Sequence, residues 1–386
     1  MARHLLVTND FPPKTGGIQV YLHELWRRLE PGRAAVLTAS SHPDAVAFDH
    51  NADVAVERMP ARTLFLPTRS ALAAIEAAIE RHQPDLVLID PAWPLGLLGP
   101  RLSRPYGVIL HGAEVTIPAR IPFVASSFRY VLSHAAVAIC AGTYPEAEAR
   151  RNAAERTPPV IQIPPGVDTG RFRPLEPSQR VLVRHDLGLS DDEFVILSYS
   201  RLVPRKGMDT LIKAAARLRS EFPALRVVIG GAGRDLDRLK RLANSKKMPV
   251  TFLGRVPDDD LTRWLGASDL MVMDCRSRWL GLEQEGFGIV FVEAAASGLP
   301  EIAGRSGGSH EAVLDGVSGT VVEQSRSVNK LSSAIRDLVI DHDRRLCFGR
   351  AARDVAVEHF DWDALARRLS CELAAFDHFK TENQLS

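Results

Sequence analysis

Cysteine is scarce and scattered: Cys140, Cys275, Cys347 and Cys371 stand far apart in 386 residues, with no C-x-x-C pair and no spacing that groups metal ligands. That excludes a disulfide framework and implies reduced thiols in a cytoplasmic protein. Net charge is small as well. Lys and Arg number 48 against 47 Asp and Glu, a balance of +1, so the basic footprint of a nucleic-acid-binding protein is missing. No uncharged apolar run reaches the roughly 18 residues a membrane span needs, which leaves only peripheral membrane contact open. The apolar part of "MARHLLVTND" is too short for a signal peptide and reads as a first strand. G-x-G-x-x-G is absent too, which argues against a dinucleotide-binding fold.

What is present is alternation. The length exceeds what one hydrophobic core usually serves, so two domains are expected. "HLLVT" precedes "IQVYLHELWRRL", where Ile18, Tyr21, Leu22, Leu25, Trp26 and Leu29 recur at helical spacing. "AAVLTAS", "VAVERMP", helical "SALAAIEAAIERH", "DLVLID", "YGVILHG", "AVAICAG" and "VIQIPPGVD" follow. "PPGVDTGRFRPLEPSQR" reads as a linker, and a second alternation runs from "FVILSYS" through "LRVVIGG", "VTFLG", "LMVMD", "IVFVEAAASG" and "GTVVE". Strands alternating with helices predict an α/β fold of two doubly wound, Rossmann-like parallel-sheet domains, 1–172 and 173–358, with a helical tail over 359–386. Ligands of such sheets bind at the carboxyl ends of the strands, and a cleft between the two domains is the expected site.

The loops after the strands carry the chemistry. In "TNDFPPKTGGIQ", Gly16 and Gly17 open a helix, where free amides favour an anion; an ordinary tight turn is the alternative. "GGAGRD" at 230–235 reads first as packing or a turn. In "VILHGAEV", His111 ends a strand, and is either a hydrogen-bonding group facing a cleft or a satisfied core histidine. "RLVPRKGMDTL" sets Arg201, Arg205 and Lys206 on one turn, where Arg201 and Lys206 can converge on one anion unless the turn is simply solvated. In "EGFGIVFVE", Glu285 and Glu293 bracket Gly286, Phe287, Gly288 and Ile289 at a helix start, a pattern suited to hydroxyl recognition with backbone amides free for an oxygen-rich ligand. A glycosidase acid pair fits less well, because those carboxylates flank one bond from opposite sides.

In this order the motifs resemble the retaining GT-B glycosyltransferases of family 4 along essentially the whole chain. "VTNDFPPKTGGIQVYL", "LFLP", "PPGVDTGRFRP", "SRLVPRKGMDTL" and "EGFGIVFVEA" are most similar to the PimB-type mannosyltransferases. The resemblance implies transfer of mannose from GDP-mannose to a phosphatidylinositol mannoside glycolipid, α-1,6-type, with no metal or other cofactor. It places the protein in the cytoplasm, peripherally at the inner face of the plasma membrane. Gly17, beside Gly16, would offer its backbone to the donor phosphate, and Arg201 with Lys206 would clamp the diphosphate. Glu285 would meet the sugar hydroxyls, Glu293 the ribose, and His111 would lie near the transferred sugar. The backbone at Gly254, Arg255 and Val256 would meet the base, and the last helix would return to the N-terminal domain. Arg205 receives no role and is expected to face water.

The chain departs from the family pattern at Ala113, Glu301 and His310, and in "TIPARIPFVASSFRYVL". These departures bear on the acceptor. Arg120, Arg129, Arg150 and Arg151 with Ile117, Ile121, Phe123 and Phe128 suggest a surface for anionic lipid, the alternative being that these apolar side chains are core. Competing functions are a family 4 transferase with another nucleotide-sugar and a glycan or small-molecule acceptor, a non-catalytic nucleotide-sugar-binding module, and a GT-B-shaped epimerase or phosphorylase.

Overall fold

The computed structural model describes residues 2–40 and 42–378. The chain forms two compact units. One runs to Gly166 and takes up the chain again at Trp362; the other is Val167–Asp361. The first division falls inside the Pro-rich stretch, a few residues before 172, and the end of that stretch already belongs to a helix, Pro177–Asp186.

The first unit is a seven-stranded parallel sheet in the order β3-β2-β1-β4-β5-β6-β7. Its strands are β1 His4–Thr8, β2 Ala34–Ala39, β3 Ala55–Met59, β4 Leu86–Asp90, β5 Tyr106–Leu110, β6 Val137–Cys140 and β7 Val160–Gln162. Both faces are covered, which is why the strands read as continuous apolar runs rather than alternating ones. Leu5, Val7, Val87 and Ile89 pack with Ile75 and Val131 on one side. Leu6, Leu86 and Leu88 pack with Leu22 and Leu25 on the other. The helix Trp362–Leu373 joins this second layer, with the Trp362 ring 6.3 Å from that of Tyr21 and Asp363 paired to Arg28 at 2.7 Å. The expected tail, 359–386, lies outside the described residues beyond 378.

The second unit repeats the plan with six parallel strands in the order β10-β9-β8-β11-β12-β13. They are β8 Phe194–Tyr199, β9 Leu225–Gly230, β10 Val250–Gly254, β11 Leu270–Met273, β12 Glu301–Gly304 and β13 Gly319–Val322. Val195, Leu197, Met271 and Met273 face one layer, and Ile196, Leu270 and Val272 the other. In each sheet the order reverses once, between β1 and β4 and between β8 and β11. The loops leaving those strands diverge there and open a crevice at the strand ends. Among the described residues no helix is long and apolar enough to cross a membrane.

Candidate functional site

In the second unit the switch point brings the loop after β8 against the loop after β11. The first is a single 3-10 turn, Pro204–Lys206, closed by Gly207 at φ 74. A Cβ on Gly207 would fall 1.9 Å from the carbonyl oxygen of Asp274, so this backbone crossing requires glycine. The turn drives Lys206 inward. It is buried, and its Nζ lies 2.9 Å from Glu285 Oε2. Arg205 Nε donates to the same oxygen at 3.2 Å, and its Nη1 stands 3.7 Å from Glu283 Oε1. Arg205 therefore does not face water, because the short turn aims it at the same loop as Lys206. Burial alone would raise the Glu285 pKa, but Lys206 and Arg205 together hold it below the usual carboxylate value. The result is a buried ion cluster in which the ionised Glu285 carboxylate is met by two cations. Arg201 is different. It is exposed, and among the described residues its guanidinium has no carboxylate partner.

The loop carrying Glu285 is fixed from behind. Gly307 sits at φ 56, where a Cβ would lie 2.2 Å from the Glu285 carbonyl, and the Gly308 amide donates to that carbonyl at 3.0 Å. Phe287 turns its ring into the core, edge-on to Phe360 at 5.7 Å, so only its main chain is available to a ligand. Gly288, at φ 96, starts the helix Ile289–Ala296 without a side-chain cap, and the first amides of that helix are left for an anion. Glu293 lies one turn further on and accepts a 2.5 Å hydrogen bond from Tyr199 Oη at the end of β8. Burial raises the Glu293 pKa to about 7, with Tyr199 opposing the rise. The Gly254 carbonyl accepts from the Gly231 amide at 2.5 Å beside a register shift in the β9–β10 pairing, while Arg255 is exposed.

The first unit builds a second polar cluster at its own switch point. Asp90, at the end of β4 and buried, accepts from Thr8 Oγ1 at 2.6 Å and stands 3.1 Å from His111 Nε2. Burial would lower the His111 pKa, but Asp90, with smaller help from Glu114 and Asp10, raises the value overall. Glu114 receives the backbone amides of His111 and Gly112, the latter at 2.7 Å, and the Tyr21 ring meets the imidazole edge-on at 5.2 Å. The ring is thus fixed from several sides, with Nδ1 left as the nitrogen for a ligand. Gly16, extended, precedes the helix Gly17–Trp26, whose start also lacks a side-chain cap. Gln19 Nε2 reaches back from that helix to Asp10 Oδ1 at 2.7 Å.

Sequence reasoning missed Asp90, Thr8, Tyr199 and Glu283. Asp90 had a readable signal, since "DLVLID" ends a fully apolar strand on a carboxylate. Tyr199 had none, because a tyrosine ending a buried strand reads as core. Among the departures, His310 Nε2 lies 2.6 Å from Arg305, and burial followed by that cation keeps its pKa low, so the neutral ring accepts the hydrogen bond. Glu301 is wholly buried at the head of β12 with neither carboxylate oxygen hydrogen-bonded, and burial drives its pKa far up, so it is neutral there. Ala113 starts the helix Ala113–Arg120; its side chain lies outside what the structure describes. Phe128 is core, which corrects its place in the lipid-facing set, whereas Phe123 is 93% exposed and Ile117 and Ile121 are also exposed. Among the described residues, no group of three or more His, Cys, Asp or Glu is arranged to hold a metal ion.

Comparison with known proteins matches residues 15–171 to the Glycosyltransferase Family 4 model and residues 181–355 to the Glycosyl transferases group 1 model. The chain is 38% identical over 384 residues to a GDP-mannose-dependent alpha-(1-6)-phosphatidylinositol monomannoside mannosyltransferase of Mycobacterium tuberculosis, covering 96% of this chain and 97% of the relative. The monoacylated-substrate counterpart of Corynebacterium glutamicum is 36% identical, covering 95% and 96%. A D-inositol 3-phosphate glycosyltransferase of Corynebacterium aurimucosum is 34% identical over 54% of this chain and 50% of its own length. Among solved structures, the sucrose-phosphate synthase of Thermosynechococcus elongatus superposes with a TM-score of 0.81 at 21% identity, covering 97% of this chain and 99% of its own. HepE of Anabaena, solved with UDP, gives 0.80 at 21%, covering 97% and 100%. These likenesses identify the fold as GT-B, with two Rossmann-like α/β domains. By motif, fold and near full-length identity, the chain belongs to the family 4 glycosyltransferases, in their PimB-type mannosyltransferase group.

Proposed function

We propose that this enzyme is a hexosyltransferase that moves mannose from GDP-mannose to a phosphatidylinositol mannoside glycolipid, forming an α-1,6-type linkage with retention of configuration. One observation carries the reading. The Lys206–Glu285–Arg205 cluster stands at the β8/β11 switch point, in a chain 38% identical over nearly its whole length to an enzyme named for that reaction.

Breaking the sugar–phosphate bond leaves a nucleoside diphosphate whose negative charge grows in the transition state. Arg201, whose guanidinium has no carboxylate partner among the described residues, and Lys206, positioned by Glu285, supply positive charge. The uncapped amides after Gly288 add partial positive charge. Glu285 acts in two capacities: it keeps Lys206 in place, and its remaining acceptor capacity meets sugar hydroxyls. Glu293, oriented by Tyr199, accepts from the ribose, and the main chain at Gly254–Val256 meets the base. His111, oriented by Asp90, serves the transferred sugar, and Gly17 with Gly16 serves the donor phosphate. In this reading the reaction requires no metal; unchanged turnover in EDTA supports that, and loss restored by a divalent cation overturns it.

The acceptor reading also includes peripheral contact with anionic lipid at the cytoplasmic face of the membrane. Phe123, Ile117 and Ile121 support it, although Arg150 and Arg151 are already paired with Glu146 and Glu148 on their own helix. The deciding experiment is a donor-by-acceptor panel with product analysis. GDP-mannose turnover on phosphatidylinositol monomannoside is the expected result. Turnover only with a UDP-sugar, or only on D-inositol 3-phosphate, overturns the substrate assignment and leaves the family intact.

A further inference from the structure

The loop between β11 and Glu285 ends in an apolar tip that neither the donor site nor the core uses. Arg278 and Glu283 form its base. Their backbones exchange hydrogen bonds of 2.9 and 3.2 Å, and Arg278 Nη1 pairs with Glu283 Oε2 at 2.7 Å. Between them Trp279 is 61% exposed, Leu280 fully exposed and Leu282 38% exposed. Trp279 and Leu280 are held at φ 48 and φ 53, a left-handed conformation that bulky L residues adopt only at a cost. A chain that spends conformational energy to keep a tryptophan and a leucine in water gains it back somewhere outside this fold.

The surroundings indicate where. The Arg278 guanidinium stacks 4.7 Å over the Trp279 ring and also lines a cavity of about 500 Å³ with Lys213, Arg238, Arg276 and Arg326. Asp209 is the carboxylate in that lining; it pairs with Arg276 at 2.8 Å and Arg238 at 3.4 Å, and Arg238 also meets Asp235 at 2.6 Å. The side chains of Lys213 and Arg326 have no carboxylate partner among the described residues; the Arg326 backbone amide donates to Asp274 Oδ2 at 3.0 Å, and its Nη2 to the Ser277 carbonyl at 3.1 Å. Surplus positive charge thus adjoins a tryptophan–leucine tip.

Three apolar side chains are too few for a stable protein interface, which needs on the order of 1,000 Å² or more. They match the interfacial layer of a bilayer, where tryptophan is favoured and nearby cations meet lipid phosphate. We propose that Trp279, Leu280 and Leu282 form a membrane-contact tip that enters the headgroup layer of an anionic phospholipid bilayer, with lipid phosphate taken by Lys213 and Arg326. This rests on the reading above that the acceptor is a membrane glycolipid, and it assigns a surface to the second unit that the donor motifs do not include.

The test uses the full chain with vesicles of equimolar phosphatidylglycerol and phosphatidylcholine, and with phosphatidylcholine alone. Trp26, Trp264 and Trp362 are buried and Trp93 is half-buried, so quenching of tryptophan emission by brominated lipid reports on Trp279. The wild type is expected to float with the anionic vesicles only and to be quenched there. Trp279→Gly/Leu280→Gly relieves the positive φ, so it should fold with unchanged Tm while partitioning falls about tenfold or more. Lys213→Gln/Arg326→Gln should weaken flotation and its salt dependence, and Trp279→Phe should float but lose the quenching. Free inorganic phosphate at millimolar levels should not displace the protein from vesicles. Equal flotation of the double-glycine variant, or an unquenched wild type, overturns the tip. Transfer to a detergent-dispersed short-chain acceptor is run in parallel. Its absence in every variant overturns the functional reading instead, whatever the vesicles show.

Discussion

The two switch points solve one problem, holding a polar group at the end of a buried parallel strand, by opposite means. In the second unit, Lys206 and Arg205 form a cluster with Glu285 in which the two cations hold the buried carboxylate ionised, locked by a glycine turn against Asp274. In the first unit, His111 leans on Asp90, and its charge changes with pH. A fixed-charge site suits an anion that is always present, such as a diphosphate. A titratable site suits a neutral partner, such as sugar hydroxyls, to which imidazole can donate or from which it can accept.

The largest effect should come from breaking the fixed-charge side. Lys206→Ala removes a transition-state charge and leaves Glu285 buried beside Arg205 alone, so kcat should fall by about 10²–10³ in steady-state assays with a saturating donor. Restored activity in that variant at high salt alone would count against the assignment. Gly207→Ala probes the same side through the backbone. Its Cβ would meet the Asp274 carbonyl at 1.9 Å, and destabilisation of roughly 2 kcal/mol or more should appear as a lowered denaturation midpoint.

Asp90→Asn tests the titratable side. Asp90 raises the His111 pKa against burial, so the stability it provides is complete below the unfolded value of 6.5 and is lost as pH rises through the folded one. The variant should therefore be destabilised at acid pH and nearly normal at alkaline pH. Its kcat should drop about 10- to 100-fold, the scale of a misoriented group. A pH-independent stability loss would show that Asp90 is merely structural.

The smallest effect is expected at Tyr199→Phe, where a titratable group sits within the fixed-charge unit. Glu293 has its pKa raised from 4.5 to about 7, so the neutral acid is favoured in the folded chain. Its contribution to stability is full below 4.5 and falls away as pH rises to about 7. Removing the 2.5 Å hydrogen bond should push that pKa higher and raise the donor KM by about 3- to 10-fold, most visibly near neutral pH, with little change in kcat. Calorimetric titration with GDP over that pH range measures it.

The amino-acid sequence by itself determined the two-sheet α/β plan, because strands covered on both faces must be continuously apolar and the helices between them must carry a 3.6-residue apolar stripe. It also singled out Lys206, Glu285, Glu293 and His111 as candidates, because they stand in the loops and helix starts that follow such strands, where ligands of parallel sheets bind. Only the tertiary structure decided who pairs with whom. Asp90 and His111 are 21 residues apart, and Arg205 and Glu285 80 apart, yet each pair meets because parallel crossovers bring distant strand ends side by side. Arg205 and Arg201 look alike in "RLVPRKG", but one turn of backbone buries the first against Glu285 and leaves the second exposed. Local sequence encodes that a turn exists; which way its side chains point follows from what the rest of the sheet packs against it.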